Sequence, residues 1–217
     1  IDTPDEVGRT PMFMAALHGH DPVIETLVRL GSTSIDTPTD YGYTPMYAAA
    51  KHGHVSVIET LVRLGSTAID TPDKWGGTPM YIAARNEHNP VIETLVRLGS
   101  TAINTPNRNG YTPIYAAVCN KHTSVIETLV RLGSTAIDTP NDIDITPMYA
   151  AAIEGHVSVI ETLVRLGSTA IDTPDNNGQF PIDVARERKA LIALYYLGAA
   201  RNDSCSFVYN EDEAAKV

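Results

Sequence analysis

The chain has 217 residues, 43% of them hydrophobic, and it carries a formal net charge of -10 at pH 7. Its length and apolar content suffice for one or two globular domains, whereas the acidic balance argues against broad binding to nucleic acid or to an anionic membrane. No apolar run approaches the roughly 20 residues that cross a bilayer, so we expect no membrane span.

The cysteines and the opening residues indicate the cellular compartment of the protein. Cys119 and Cys205 are the only cysteines, and neither has a spacing typical of zinc sites or disulfide frameworks. The opening residues, IDTPDEVGRT, lack the basic and apolar regions of a secretory signal. We therefore expect a cytoplasmic protein in a reducing compartment, neither secreted nor membrane-spanning, with no metal and no cofactor.

Thr-Pro recurs every 34 residues, at 10–11, 44–45, 78–79, 112–113 and 146–147, and Phe180-Pro181 continues the series. A fixed period of this length is the signature of a repeat array. Thr is a good N-cap, and Pro fits the first helical position because no amide hydrogen is needed there. The pattern predicts a first helix of about two turns after each pair.

A second helix is predicted in a segment that occurs five times without change, VIETLVRLGST, beginning at residues 23, 57, 91, 125 and 159. Its apolar residues form a broad face, and its Gly suits a left-handed helix end. Ser56 and Glu59 have the spacing of a capping box, and Glu59 precedes Arg63 by four residues, which favours an ion pair within the helix. Where the serine is absent, Asp21-Pro22 and Asn89-Pro90 predict a side-chain cap.

The segment between each Gly and the next Thr-Pro is rich in Asp, Asn, Pro and Gly, as in STAIDTPDKWGG at 66–77. This composition predicts a hairpin-like turn. The order Thr-Pro-x-x-x-Ala-Ala, Gly-His, an apolar helix ending in Leu-Gly, then Asp-x-x-Gly resembles the ankyrin repeat from residue 5 to about 199. The resemblance implies an all-α solenoid of paired antiparallel helices with hairpin-like turns. The tetratricopeptide repeat shares the period but lacks the opening Thr-Pro and the long turn.

We therefore divide the chain into a single ankyrin-repeat domain at 1–200 and an acidic tail at 201–217. The five units lie near 5–38, 39–72, 73–106, 107–140 and 141–174, and a C-terminal cap lies at 175–200.

The two ends differ from the middle of the array. Arg, Glu, Arg and Lys at 186–189 make one side of the cap polar, as a terminal repeat requires. No polar cap precedes the first helix. We expect a mostly monomeric protein in which end-to-end association can occur through Met12, Met14 and Leu17.

Three features depart from the ankyrin pattern or from the other repeats. The period is one residue longer than the family's usual one, and we place the extra residue in the STAIDTP turn. Asp144 stands where the other tips have Gly, and Asp is among the few residues that tolerate a positive φ. The His that usually bonds the neighbouring Thr is replaced by Phe13, Tyr47, Tyr81, Tyr115 and Tyr149. The recurrent His residues, at 20, 54, 88, 122 and 156, are implied by the resemblance to hydrogen-bond loops.

Residues that differ between units fall at the turn tips and at the ends of the first helices. In the ankyrin family these positions form the concave surface that binds partners. Neutral variation should also have changed the exposed Glu, Thr and Arg of the second helix, which are constant. The candidate partner-binding residues are Arg9, Asp40, Tyr41, Tyr43, Lys51, His52, Lys74, Trp75, Arg85, Asn86, Arg108, Asn109, Tyr111, Asn120, Ile143, Ile145 and Ile153.

This set predicts non-catalytic recognition of another protein. Tyr, Trp and Arg are frequent hot-spot residues, and cations within an acidic chain favour a partner with an acidic patch. Cys119 and His122 are close in sequence, but nothing evident orients the His, so we expect no enzyme. Five error-free copies favour an engineered or consensus-derived scaffold. The alternatives are a natural effector-like ankyrin adaptor and a stability or design scaffold with no selected ligand.

Overall fold

A computed structural model describes residues 1–187, and the structural statements below concern that range. The helices are α1 (Pro11–Leu17), α2 (Asp21–Arg29), α3 (Pro45–His52), α4 (Val55–Arg63), α5 (Pro79–Arg85), α6 (Asn89–Arg97), α7 (Pro113–Cys119), α8 (Thr123–Arg131), α9 (Pro147–Ile153), α10 (Val157–Arg165) and α11 (Pro181–Glu187). None of these helices is long and apolar enough to cross a membrane. The predicted all-α solenoid is confirmed for this range. The rest of the predicted cap, 188–200, and the acidic tail, 201–217, lie outside the described residues.

The first helix of each repeat opens at a Thr-Pro pair, as predicted. The Thr side chain accepts a hydrogen bond from the backbone N–H three residues later, for example from Tyr47 N to Thr44 Oγ1 at 3.1 Å. Pro45 follows at a position where no N–H is needed. The five helices α1, α3, α5, α7 and α9 have seven or eight residues each, which confirms the predicted two turns.

The second helices begin earlier than the sequence suggested. Helix α4 starts directly after His54, whose carbonyl accepts from the N–H of Ile58 at 3.2 Å, and no side chain caps it. Ser56 therefore lies inside the first turn, so the predicted capping box is wrong. Asp21 and Asn89 are the first residues of α2 and α6, and the predicted side-chain caps are wrong there too.

Stacked repeats share one apolar layer. Val57, Ile58 and Leu61 of α4 are fully buried, and so are their counterparts in α6, α8 and α10. Helix α4 packs between α2 and α6, while α3 packs between α1 and α5. Each repeat thus buries its apolar face mainly against its neighbours, as expected for a solenoid.

The invariant Glu and Arg connect neighbouring repeats. Arg63 of α4 pairs with Glu25 of α2 at 2.5 Å. The predicted pair of Arg63 with Glu59 is therefore wrong, because Glu59 meets Arg97 of the next repeat instead. The side chains in these pairs are about half exposed, so each pair contributes at most about 1 kcal/mol. Two further pairs repeat the arrangement, Arg131–Glu93 and Arg165–Glu127.

The invariant Ser and Thr also serve contacts between repeats. Asp70 ends a short 3-10 helix, Ala68–Asp70, which the sequence did not lead us to expect. Its carboxylate accepts from Ser100 Oγ at 2.5 Å and from Thr101 N at 2.8 Å. Because Ser and Thr follow the Gly at the end of α6, this carboxylate holds the end of the next repeat's second helix.

Four of the recurrent His rings bond the preceding repeat, as the resemblance implied: those of His54, His88, His122 and His156. His54 Nε2 lies 3.1 Å from the carbonyl oxygen of Leu17, and His88 Nε2 lies 3.0 Å from that of Lys51. A carbonyl only accepts, so Nε2 carries the proton in these bonds. Each ring therefore ties the junction of its own two helices to the end of the preceding first helix.

Successive turn tips are joined by backbone hydrogen bonds. Lys74 N donates to the carbonyl of Tyr41 at 3.0 Å, and Arg108 N donates to that of Trp75 at 2.9 Å. Gly42, which follows Tyr41, has a φ of 80°, and a Cβ there would lie 2.9 Å from Lys74 N. The tip glycine is therefore required both by its φ and by the close approach of the next tip.

The fifth tip breaks this pattern. Asp144 occupies the glycine position with a φ of 59°, so the predicted positive φ is confirmed. The next tip is bonded through the side chain of Asn176, whose Nδ2 lies 3.4 Å from the carbonyl oxygen of Ile143. A Cβ at position 144 explains this looser contact, since it occupies the space that the next backbone N–H needs.

The N-terminal end exposes different residues from those predicted for end-to-end association. Met12 is fully buried, and Met14 and Leu17 are half-buried, so the prediction is wrong for Met12. Val23 of α2 and Leu30, which directly follows that helix, are instead 46% and 63% exposed. The corresponding valines of later repeats are buried by the repeat before them.

Asp144→Gly is expected to stabilise the protein by about 0.5–1 kcal/mol, because Gly adopts a positive φ without steric cost and admits the next tip. Gly110→Asp is the reciprocal change, and it should destabilise by more than about 1 kcal/mol, since its Cβ would lie 2.5 Å from Asp142 N. Urea unfolding measures both. An Asp144→Gly protein that unfolds at a lower urea concentration than the parent would contradict this account.

Asn104→Asp is also expected to stabilise the fold. Asn104 Oδ1 accepts from Thr135 N at 3.2 Å, whereas Asp138 accepts from Thr169 N at 2.8 Å. Charge-assisted bonds are shorter and stronger, so we expect a gain of about 0.5–1 kcal/mol near neutral pH. Asp138→Asn should cost a similar amount. Equal unfolding midpoints for both variants and the parent would show that charge adds nothing here.

Candidate protein-binding face

A buried polar side chain holds each turn tip in shape. Asp73 is buried at the start of the third tip, and its Oδ1 accepts from Trp75 N at 2.9 Å and from Gly77 N at 2.8 Å. The preceding repeat's Tyr47 also bonds Asp73. Burial, followed by the charge of Asp73, raises the pKa of Tyr47, so the phenol remains the donor. The equivalent pairs are Tyr115–Asn141 and Tyr149–Asp175.

The tyrosine that replaces the family's His therefore has a structural role. In these repeats its hydroxyl bonds the residue that opens the next turn tip. The carboxylate or amide at that position then takes the backbone N–H groups of its own tip. A turn that is hydrogen-bonded to a largely buried acceptor holds the exposed side chains at its apex in a defined place.

Two adjacent tips bring three aromatic rings together. The ring centroids lie 6.0 Å apart for Tyr41–Tyr43, 6.1 Å for Tyr41–Trp75 and 6.0 Å for Tyr43–Trp75. Tyr41 and Trp75 are 48% and 52% exposed. Lys74 Nζ lies 6.0 Å from the Tyr41 centroid and Lys51 Nζ lies 5.8 Å from the Tyr43 centroid, which is cation–π distance. We call these five residues the aromatic cluster.

Four cations on this face form no close ion pair within residues 1–187. Among residues 1–187, no carboxylate lies within 4.0 Å of the exposed cations Lys51, Lys74, Arg85 and Arg108. Arg9 differs, because its Nε bonds the Asp5 carboxylate at 2.7 Å. The second to fourth repeats thus present positive charge on a chain of net charge -10, which favours anionic groups at this surface.

Comparison with known proteins identifies the fold's family. The family model for ankyrin repeats in three copies matches residues 1–71 and 64–141, which is more than half of the chain. The chain belongs to the ankyrin-repeat family. The solved ankyrin repeat domain of Bcl-3, described as a unique member of the IkappaB protein family, is similar with a TM-score of 0.80. That match has 22% identity and covers 92% of this chain and 89% of that chain, and it shows the shared fold.

The comparison with curated proteins found no match. Ankyrin repeats generally mediate protein–protein interaction, and no enzyme family is indicated for this chain.

Two of the predicted site residues are engaged inside the ankyrin fold. Asn86 Nδ2 donates to the carbonyl of Lys51 at 2.8 Å, and Asn120 Nδ2 donates to that of Ala116 at 2.8 Å. Their side chains help to hold the ends of the first helices, so both side-chain amides already have a hydrogen-bond acceptor within the protein.

The other predicted residues lie apart from the aromatic cluster or at its edge. Tyr111 stacks on Tyr115 with centroids 4.7 Å apart. Burial, then the charge of Lys51, lowers the pKa of His52, which favours its neutral form. The exposed members are Asp40, His52, Asn109 and Ile143, and the half-buried members are Ile145 and Ile153.

Cys119 and His122 do not have the environment of a catalytic pair. Cys119 is exposed at the surface, yet partial desolvation of its thiol, followed by the charge of Glu154, raises its pKa, which opposes formation of the thiolate. His122 is engaged elsewhere, since its Nε2 lies 3.0 Å from the carbonyl oxygen of Arg85 and its Nδ1 lies 3.4 Å from Glu87 Oε2.

Sequence reasoning missed three residues on this face. Glu87 and Lys121 stand where other repeats have Gly, with φ values of 61° and 62°. Tyr81 was treated as part of the scaffold, yet it is half-buried while Tyr47 and Tyr115 are each only 4% exposed. The signal for Tyr81 was the neighbouring tip, which ends in Gly77 where the second and fourth tips end in Tyr.

Asp73→Ala is expected to destabilise the protein by about 2 kcal/mol, because two backbone N–H groups and the Tyr47 hydroxyl lose their acceptor. Asp73→Asn is the matched control and should cost less, since Asn107 and Asn141 serve the same turns in other repeats. Urea unfolding gives the stability, and the fluorescence of Trp75, the only tryptophan, reports the tip. Equal losses for the two variants would be inconsistent with a hydrogen-bonded clamp.

Proposed function

We propose that this chain is a non-catalytic ankyrin module that binds another protein through the concave face of turn tips and first helices. The aromatic cluster carries the proposal. It combines rigid, half-exposed rings with cations that lack a carboxylate partner among the described residues. Such rings bury much area at low entropic cost, and aromatic and Arg residues dominate the binding energy of many interfaces.

The partner that fits this face carries an acidic patch. Carboxylates would meet Lys51, Lys74, Arg85 and Arg108 while leaving the rest of the acidic surface uncovered. Nucleic acid fits less well, because a chain of net charge -10 repels phosphate at distances beyond the cationic face. Binding to a membrane surface is disfavoured for the same reason.

We propose that the protein acts in a reducing cytoplasm and is mostly monomeric. Cys119 is a free thiol. Any end-to-end association would use Val23 of α2 and Leu30 directly after it, which are both exposed. This contact is separate from the aromatic cluster, so it leaves the concave face open.

The origin that we favour is an engineered or consensus-derived array, because one segment occurs five times without error. A natural effector-like adaptor would use the same face and the same chemistry. A stability or design scaffold with no selected ligand would bind nothing through it, and the experiment below separates that case.

The test compares the parent with a Tyr41→Ala, Trp75→Ala double variant in pull-downs read by mass spectrometry, followed by calorimetry with each captured protein. We expect a captured protein whose affinity falls at least about tenfold in the double variant, or about 1.4 kcal/mol. Added salt should weaken binding further. The control is Glu93→Ala, Arg131→Ala on the second helices, which should bind as the parent does. Capture that is equal in all three proteins, or absent in all, would rule out the proposal.

A further inference from the structure

The charge along the turn tips changes sign twice. The second residue of each tip is Asp40 in the second repeat, Lys74 in the third, Arg108 in the fourth and Asp142 in the fifth. All four residues are exposed. We call these four residues the tip row. Its two carboxylates stand at its ends, and its two cations stand between them.

The backbone holds the tip row in line. Each of its four N–H groups donates to a carbonyl of the preceding tip, at distances between 2.9 and 3.2 Å. Packed helices lie about 8–10 Å apart, so successive members of the row are separated by about one such step. The row therefore spans about 25–30 Å across four repeats.

The opposite charges of the tip row do not pair with one another. Among residues 1–187, none of the four side chains has an oppositely charged group within 4.0 Å. Their spacing is comparable with the Debye length in physiological salt, which is about 8 Å. Each charge therefore acts mainly on the group that lies directly opposite it on a partner.

Further carboxylates reinforce both ends of the face. Glu6 continues the tip row into the first repeat, and Asp144 and Glu154 lie in the fifth, all of them exposed. Partial desolvation, then the charge of Glu154, raises the pKa of Cys119, so this carboxylate lies near the end of α7. The concave face is thus positive only in its centre, where Arg85 and the lysines of the aromatic cluster lie.

We propose that the tip row binds a partner segment whose own charges run basic, acidic, acidic, basic. This inference rests on the proposed function and specifies the partner's acidic patch, which is short and bounded by Lys or Arg. An extended chain rises about 3.3 Å per residue, so the four charges of such a segment recur about every three residues. The pattern is the same in both chain directions, so the segment binds in either.

The end carboxylates supply selectivity. A uniformly acidic chain would place like charge against Asp40 and Asp142, which opposes its binding although the central cations attract it. Tyr41 and Trp75 directly follow Asp40 and Lys74 in the sequence, so partner residues between the charges meet exposed rings. The rings thus contribute contact area, and the charges select the partner and its register.

The test begins with selection of peptides from a random displayed library on the parent protein. We expect the enriched peptides to carry two acidic residues about three positions apart, with Lys or Arg about three positions beyond each. Their binding should depend on the aromatic cluster, so the Tyr41→Ala, Trp75→Ala double variant should weaken it at least about tenfold.

A charge exchange then tests the pairing directly. Asp142→Lys should weaken the selected peptides at least about fivefold. Lysine already occupies the equivalent position in the third tip, and urea unfolding checks that the variant is folded. When each flanking basic residue of a peptide is changed to Glu in turn, one change should restore binding to Asp142→Lys and the other should not.

The matched control is Glu161→Lys on α10, which changes the net charge by the same amount in the layer of second helices. It should alter the affinity of the selected peptides by less than about twofold.

Polyglutamate provides an arm that does not depend on the library. It should bind Asp142→Lys at least about fivefold more tightly than it binds Glu161→Lys, because only the first variant removes a repelling carboxylate from the tip row.

The outcomes separate the two proposals. Peptides that need Trp75 but lack the flanking basic residues, or that tolerate Asp142→Lys as well as Glu161→Lys, would overturn the charge pattern and leave the concave binding face in place. Equal binding of polyglutamate to the two lysine variants would also overturn it. If no selected peptide depends on Tyr41 and Trp75, the proposed binding face itself fails, and the charge pattern fails with it.

Discussion

The two helices of a single repeat are too short to bury their own apolar residues, so contact between neighbouring repeats supports the whole described fold. Val57 and Leu61 are fully buried where α4 packs on α3 of its own repeat and between α2 and α6 of the neighbouring repeats. The polar residues of the constant segment act across the same boundary. Its Glu and Arg pair between repeats, and its Ser and Thr bond the Asp of the repeat before. A substitution of any of these residues would therefore weaken one or two interfaces between repeats, which gives a physical reason for their constancy.

The first helices, the second helices, the junction His residues and the 3-10 helices make the interfaces between repeats, and the tips add one backbone hydrogen bond each in most repeats. Their shape is set by a buried residue such as Asp73 and by a hydroxyl from the preceding repeat. The apex is then free to vary, so Tyr41 and Trp75 are exposed without a visible cost to the core.

The predictions made from the sequence differ in outcome according to whether contacts between repeats compete with local preferences. Features that depend on residues close in the chain were predictable, such as the Thr-Pro helix starts and the positive φ of Asp144. The capping box at Ser56 and the pair of Glu59 with Arg63 obey the same local rules, yet both were wrong. Helix α4 starts directly after His54, whose ring bonds the preceding repeat, and Glu59 pairs with Arg97 of the next repeat. An ion pair within a helix contributes only a few tenths of a kcal/mol, so a contact between repeats can outweigh it.

The sequence by itself determined the period, the helix pairs, the family resemblance and the positions at which a binding face would vary. These follow from spacing and from the chemistry of single residues, which a linear chain displays directly. Only the tertiary structure decided which varying residues meet. It brought Trp75 against Tyr41, and it left Tyr81 half-buried where the equivalent Tyr47 and Tyr115 are buried. The reason is that residues one period apart become neighbours only when repeats stack. The sequence of a single repeat therefore does not determine the distances between side chains of neighbouring repeats.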